Sequence, residues 1–507
     1  MTGIVTRDAV DGDVRASCDV VVVGSGAGGA TMAAALAEAG VDVVIVEEGG
    51  YFPTGSYGTS MGHALRTLYR DGGAQAAIGR PPVLFSEGRC VGGSTVVNGG
   101  MSFRTPEAAL DRWTRDPSLA LVSAEAMRPY FEIVERRLHV SVQDPETIGR
   151  DSELLKVGAD ALGWKIIPNT RNQIHCAGSN NCTLGCPTGA KRSMLLTHIP
   201  RALAHGARLY AECRVDRVTL RGRTATGIEA RFVDPARRPG PRLTVTAPVV
   251  VVAGGAVQTP ALLMRSGFRS PSGQLGRNLS MHPNAKLVAL FDADVRGWQG
   301  VHQAYQVREF ADEGILITAV NIPPSLVAMG TADHGRTLRD LMDDYDRMVV
   351  AGCLVEDTST GRVRNLPGLG AQVSYQISDR DAATVVRGIA RTAELMFAAG
   401  ARRILAPFAG LPDLRSPDDV AHLLATPIPK RSMDLFTVHV MGTARMSDDP
   451  NRGVVSSFGE LHGARGLFVA DASLFPGPIG VNPMETIVAL VLRNADWLIE
   501  NRSRYGI

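Results

Sequence analysis

No stretch of this chain approaches the roughly 20 consecutive apolar residues that a membrane-spanning helix requires, although 45% of its 507 residues are hydrophobic. The stretch Met1–Cys18 is polar and charged and has no apolar signal-peptide core. The expected location is therefore cytoplasmic, with a membrane-peripheral association as its variant. Charge of one sign is missing too. With 53 basic residues against 51 acidic ones the net charge is +2, which gives no reason to expect a nucleic acid or another highly charged partner. Cysteines number seven, Cys18, Cys90, Cys176, Cys182, Cys186, Cys213 and Cys353. An odd count without an export signal argues against a disulfide framework. There is no internal repeat and no low-complexity tract. What remains is the composition of an ordinary globular protein, long enough for two coupled domains.

Glycine is plentiful, at 55 residues, and it is clustered. The first cluster follows the β-branched run Val20–Val23, which reads as a buried parallel strand. Gly24-Ser25-Gly26-Ala27-Gly28-Gly29 then supplies Gly24, Gly26 and Gly29 in the spacing G-x-G-x-x-G. The stretch Thr31–Ala39 reads as an Ala-rich helix ending at Gly40. Val43–Val46 is a second buried strand, followed by Glu47 and Glu48. In this order each residue has a physical task. Gly24 permits the tight turn, Gly26 lets backbone approach a pyrophosphate, and Gly29 lets helix and strand pack closely. The helix N-terminus faces the phosphate charge, and the acidic residue reaches a ribose. The unit predicts a dinucleotide and does not by itself separate FAD from NAD.

Three further units follow. Gly88–Gly100 is a second glycine-dense loop whose amides can lie against a flat cofactor, with Asn98 available to hydrogen-bond it. Val249–Ala253 is a buried strand entering Gly254-Gly255-Ala256 and continuing to Gly267. Leu467–Ala470 is a strand ending at Asp471, with Gly480-Val481-Asn482-Pro483 beyond it. In this order and spacing the four units resemble the glucose–methanol–choline (GMC) family of flavin oxidoreductases, nearer its long-chain alcohol and sterol-oxidising branch. The resemblance runs from about Asp19 to Ile499 and is thinnest over about Ala285–Arg431. Its one departure in the second signature is Phe268-Arg269, where the family has an aliphatic residue and a glycine.

The resemblance implies an α/β fold: a Rossmann-like FAD-binding domain with a discontinuous substrate domain built on an antiparallel sheet. Residues 1–105, 190–284 and 432–507 would form the first, and 106–189 and 285–431 the second. Gly24, Gly26 and Gly29 would hold the FAD pyrophosphate and Glu47 the adenosine ribose. Gly93, Asn98 and Gly99 would line the isoalloxazine and ribityl chain, Val215 would meet the adenine through its backbone, and Asp471 would lie near the ribityl–phosphate end. Some members tether the flavin through a histidine just before the Asn98 position. Val97 stands there, so the expected FAD is non-covalent.

Taking a hydride from an alcohol carbon requires removal of the hydroxyl proton, a task suited to a histidine with a pKa near working pH. Among 11 histidines, His439 lies in the context His-x-x-Gly-Thr, where the family places its catalytic histidine, and Asn482 occupies the place of its partner. His439 is the expected base and Asn482 the group that orients the alcohol. Pro483 suits the first turn of a helix, and Met484–Glu500 has helical apolar spacing, so a helix N-terminus is expected beside Asn482.

The stretch from His175 to Lys191 holds Cys176, Cys182 and Cys186 as C-x5-C-x3-C, ending in Cys-Pro. It resembles the loop of GMC sugar and gluconate dehydrogenases that carry a three-iron cluster, and also the Cys-rich loop of long-chain alcohol oxidases. An iron–sulfur site and three inert thiols both stand as readings; zinc lacks a good fourth ligand. The expected reaction is FAD-dependent oxidation of a hydrophobic alcohol to an aldehyde or ketone, with hydride transfer to flavin N5. One alternative is an iron–sulfur dehydrogenase subunit acting on a sugar or polyol and passing electrons to a cytochrome or quinone. Another is a flavin-containing lyase of the hydroxynitrile-lyase kind. The Pro- and Arg-rich stretch Asp234–Arg242 is expected to be a solvated turn.

Overall fold

The computed structural model describes residues 3–331 and 334–507. Its first layer is a six-stranded, wholly parallel sheet in the spatial order Ile4–Val5, Arg208–Tyr210, Val43–Val46, Val20–Val23, Val249–Val252 and Leu467–Val469. The three central strands are four-residue apolar runs in which every residue is buried. This is the pattern of strands covered on both faces. Helix Ala27–Glu38 leaves the end of Val20–Val23 and packs against helices His198–Ala204 and Met484–Glu500. Because the chain continues to one side of Val20–Val23 first and reaches the other side only at Val249–Val252, the strand order reverses at the glycine turn. That crevice is where open α/β sheets bind ligands.

A four-stranded sheet adds Cys213–Arg221, Thr224–Val233 and Pro239–Thr246, with Val14–Ser17 alongside in parallel. Here one expectation fails. Asp234–Arg238 does turn, but the chain is a strand from Pro239. Both prolines fall before Leu243, where pairing with Val14 begins, so neither removes a hydrogen bond from that ladder.

The second layer is a nine-stranded sheet around Asn284–Leu290, Met348–Val355 and Ile315–Val320, which pair antiparallel in register. Tyr305–Val307 and Ile166–Pro168 extend one side; Leu435–Thr437, Val83–Phe85 and Gln75–Ala77 extend the other, and Arg403–Leu405 pairs with the far end of Asn284–Leu290. Helix Asp379–Ala398 packs against this sheet, burying Val385, Ile389, Ala393 and Met396 in a second core. Strands Val83–Phe85 and Leu435–Thr437 come from segments expected in the FAD unit, and they pair with each other in parallel here. Helices Glu107–Thr114 and Ala124–Leu138, expected in the other unit, bury Leu110, Trp113, Met127 and Phe131 in the core of the parallel sheet. Among the described residues no helix is long and apolar enough to cross a membrane.

Candidate active site

A single cavity of about 1520 Å³ runs between the two sheets, above the roughly 300–1,000 Å³ of a pocket for one small ligand. Gly24, Gly26, Glu47, Gly93, Asn98, Gly99, Val215, Asp471, His439 and Asn482 all line it. Of the expected site residues only Gly29 and the cysteines do not.

The glycines divide by what surrounds them. A Cβ on Gly24 would lie 2.4 Å from the Ala253 carbonyl, and one on Gly29 2.0 Å from the Gly24 carbonyl. Gly28, which sequence reasoning passed over, would place a Cβ 1.7 Å from the Ala470 carbonyl. These three are held small by the protein itself. Gly26 is different: its nearest neighbour would be Gly93 Cα at 3.9 Å, so its Cβ would project into the cavity. Gly26 is the N-cap of helix Ala27–Glu38 and no side chain caps it. The first-turn N–H groups are therefore available to an anion.

The Gly88–Gly100 loop is clamped from behind by two buried cations. Lys191 Nζ donates to the carbonyls of Val96 (2.7 Å), Asn98 (2.7 Å) and Cys182 (2.6 Å). Arg171 donates to the carbonyls of Gly99 and His302 and lies 3.4 Å from Cys182 Sγ. Neither residue carries a local sequence signal. Burial holds the Lys191 pKa down at about 8. Asn98 closes its own loop, Oδ1 accepting from the Gly100 N–H at 3.1 Å.

The two acids are used by the protein. Glu47 accepts from the Ser25 N–H (3.0 Å), the Ser25 hydroxyl (2.7 Å) and the Gly49 N–H (2.8 Å), which locks the glycine turn. Asp471 accepts from the Gly255 N–H, the Thr259 hydroxyl, and both the N–H and hydroxyl of Ser473. It pins the start of helix Gly255–Arg265 to the end of strand Leu467–Val469. Burial raises the pKa of each, and these donors oppose the rise. The Val215 carbonyl accepts from Arg265 at 3.2 Å.

At the other end of the cavity His439 meets Asn482, Nε2 to Nδ2 at 3.3 Å, and its Nδ1 lies 3.2 Å from Nδ1 of His282. The antiparallel bridge between Ser280 and Met441 brings the two histidines together across 157 positions. Thr443, next to Gly442, donates to the Ala256 carbonyl at 2.6 Å and ties this loop to the second signature. His282 Nε2 accepts from the Gly480 N–H at 3.1 Å. Neutral His282 therefore carries its proton on Nδ1 and donates it to His439. Neutral His439 then carries its proton on Nε2, facing Asn482, whose amide presents oxygen once turned about its terminal bond. Burial pushes the His439 pKa down to about 4, with the charge of Lys286 adding to the effect. His282 is likewise lowered, by burial and by His439.

Profiles of two GMC oxidoreductase segments match residues 65–284 and 357–490, and an FAD-binding-domain profile matches residues 19–64. An uncharacterized GMC-type oxidoreductase of Sinorhizobium fredii is 34% identical over 98% of this chain and 97% of its own length. The chain belongs to the GMC oxidoreductase family. A long-chain-alcohol oxidase of Arabidopsis thaliana is 28% identical over 95% of this chain and 67% of its own length. Among solved structures, pyridoxine 4-oxidase from Mesorbium loti superposes with a TM-score of 0.72 over 95% of this chain and 99% of its own, at 19% identity. This GMC protein is an FAD-dependent oxidoreductase acting on CH–OH groups. Its cradle fits that cofactor: an uncapped helix N-terminus, a glycine open to the cavity, and a clamped second glycine loop.

The geometry of the cysteine loop gives no support for a cluster. Among the described residues no three His, Cys, Asp or Glu side chains converge as metal ligands. Cys182 Sγ faces Arg171, and Cys186 Sγ accepts from the Lys191 N–H at 3.4 Å and pairs with the Thr188 hydroxyl at 3.4 Å. Cys176 is half-buried, and its pKa is raised by that burial. The C-x5-C-x3-C spacing is present, but local hydrogen bonds direct the thiols to separate partners.

Proposed function

We propose that this GMC protein oxidises an alcohol with an apolar body, His439 taking the hydroxyl proton while Asn482 holds the oxygen. The observation that carries the reading is the meeting of His439 and Asn482 at one end of the same cavity that the cofactor motifs line. FAD bound along that cavity supplies the acceptor for the hydride.

In this reading Gly26 and the helix behind it hold the pyrophosphate, with Gly24 and Gly29 shaping the turn. Gly93, Asn98 and Gly99 face the isoalloxazine and ribityl chain, and Val215 the adenine. Glu47 and Asp471 meet the cofactor as pieces already fixed by protein donors. Val97 offers no atom for a covalent tether. Helix Met484–Glu500 starts beside Asn482 with no side-chain cap, and its positive end favours developing negative charge there.

Proton abstraction needs a lone pair on His439 Nε2, whereas the resting hydrogen bonds favour Nε2–H. The reactive tautomer carries the proton on Nδ1 and turns His282 Nε2–H against the Gly480 N–H. That loss is worth about 1–3 kcal/mol, the penalty of a buried unsatisfied group. General-base catalysis contributes roughly 10²- to 10⁴-fold, or about 3–5 kcal/mol, so the gain exceeds the penalty. Leu316, Leu354, Val320, Ile322, Phe436 and Val438 line the substrate end, which supports an apolar body.

The test is anaerobic stopped-flow reduction of the bound flavin by an alcohol in His439→Ala and Asn482→Ala. His439→Ala is expected to keep FAD and lose about 10²-fold or more in the reduction rate. Full-rate reduction in that variant would remove His439 as the base.

A further inference from the structure

The substrate half of the cavity contains a lysine without a partner, and this inference about the substrate's chemistry rests on the alcohol-oxidising reading above. Lys286 lies on strand Asn284–Leu290, paired in register with Gly352, which in turn pairs with Thr318. The pairing of Val307 with Ile317 places Gln306 opposite Thr318 on the next strand. Lys286, Gly352, Thr318 and Gln306 thus form one row across four strands, and its three side chains line the cavity. On the same face the neighbouring rows present Leu354 and Leu316 on one side and Val320 on the other. This polar row crosses a floor whose flanking rows are apolar apart from Asn284, the partner of Leu354.

Gly352 makes room for the lysine. A Cβ there would lie 2.1 Å from the Ala285 carbonyl and 2.9 Å from Lys286 Cδ, so both the neighbouring strand's backbone and the lysine stem lie across the glycine. The Lys286 ammonium makes no hydrogen bond and no ion pair with any described residue. Gln306 is 2% exposed and its amide oxygen has no donor; turned about its terminal bond, the amide presents N–H to an acceptor in the row. The acids that line the cavity, Glu47, Glu48, Asp71, Glu87, Asp216 and Asp471, belong to its cofactor half. Those facing the glycine turns are occupied by protein donors: Glu47 and Asp471 as above, Glu48 by Arg70, and Glu87 by Gln75 and Gln258. The charge of Lys286 is felt by His439 and His302, and burial lowers its own pKa to about 8. Lys286 is half-buried and opens onto the cavity; a cation withdrawn this far from water gains from an anionic partner, and no described protein group supplies one.

We infer that the anion arrives with the substrate: the alcohol oxidised at His439 carries a carboxylate, which docks on Lys286, Thr318 and Gln306. The apolar rows receive the hydrocarbon between the two groups. Asn284, bonded to the His282 carbonyl at 2.8 Å, lies about 7 Å of strand from Lys286 toward the catalytic end, and His282 about 13 Å. Such a seat selects hydroxy acids and rejects cationic alcohols.

Two measurements test this on the FAD-loaded protein. Anaerobic flavin reduction is compared for ω-hydroxycarboxylates of increasing chain length and their methyl esters. The acids are expected to show an apparent Kd at least about 100-fold lower than the esters, the worth of one desolvated charge pair. That ratio is expected to fall toward one in Lys286→Met, to fall partly in Thr318→Val, and to be restored in part by Lys286→Arg. Equal affinity of acid and ester in the parent overturns the inference, and so does an unchanged ratio in Lys286→Met. Calorimetric titration with simple alkanoates, which have no hydroxyl to oxidise, reads the seat apart from turnover. Alkanoate binding that Lys286→Met abolishes supports the seat even if no alcohol reduces the flavin, an outcome that would defeat only the alcohol reading. No alkanoate binding, or binding that Lys286→Met retains, overturns the seat. A shifted flavin spectrum in Lys286→Met with alkanoate affinity intact would set the lysine against the cofactor and also overturn it.

Discussion

Replacing Gly26 by valine separates what the cofactor requires from what the fold requires. Gly26 has φ −72° and ψ −163°, a conformation open to any L-residue. Its Cβ would meet no protein atom closer than 3.9 Å. The apoprotein should therefore lose no more than about 1 kcal/mol, the difference between glycine and an apolar residue at a helix N-cap. The branched side chain would occupy the approach to the first-turn N–H groups. Losing two charge-assisted hydrogen bonds, at about 1.5–3 kcal/mol each, weakens FAD binding by roughly 10²- to 10⁴-fold. Gly28→Ala is the matched control, because its Cβ would lie 1.7 Å from the Ala470 carbonyl. Backbone must move there, and overpacking of this kind costs about 1–3 kcal/mol or more. The assays are thermal unfolding of the apoproteins and titration with FAD by fluorescence quenching. Gly26→Val should melt near the parent and fail to take up FAD, while Gly28→Ala should melt well below it. A fully flavinated Gly26→Val, or one that unfolds while Gly28→Ala stands, would refute the division of the glycines.

Lys191→Met removes the donor to three buried carbonyls. It should lower both thermal stability and FAD affinity, each unsatisfied acceptor costing about 1–3 kcal/mol; parent-like FAD affinity would show that the clamp has no bearing on the cradle. His439 must be neutral to accept a proton, and burial lowers its pKa from 6.5 to about 4. It is then neutral across about pH 6–8, so the rate constant for flavin reduction should be flat there and fall only as pH drops through about 4. A rate that rises with pH through 6.5 would show that the histidine titrates as if exposed.

The parts of this molecule legible in the sequence are those whose signal is local. Four consecutive valines or isoleucines, repeated at Val20, Val43 and Val249, have one stable place, the middle of a covered parallel sheet, and they occupy it. Helix Met484–Glu500 was bounded by Pro483 and by its apolar spacing, and both ends agree. The glycine turn was readable as a phosphate cradle, but not the contact that excludes a side chain from Gly28, because Ala470, just past strand Leu467–Val469, is more than 400 positions away. His282 was invisible for the same reason: its meeting with His439 depends on the Ser280–Met441 bridge. Arg171 and Lys191 resemble any surface cations until the fold buries them behind a loop. The cysteine spacing is legible, but not the partners of the thiols: Arg171 for Cys182, and Thr188 and the Lys191 N–H for Cys186. Pro239 and Pro241 suggested a turn because the sequence does not say where strand pairing begins.

The meeting of His439 and Asn482 at one end of the flavin cavity predicts alcohol-dependent reduction of the bound flavin. The visible spectrum of anaerobically purified protein, recorded before and after adding apolar alcohols and hydroxy acids, tests this most directly. Flavin bands that bleach on addition, and do so far more slowly in His439→Ala, are the predicted result. A protein that takes up no flavin when FAD is supplied, or whose flavin no alcohol reduces, would contradict it.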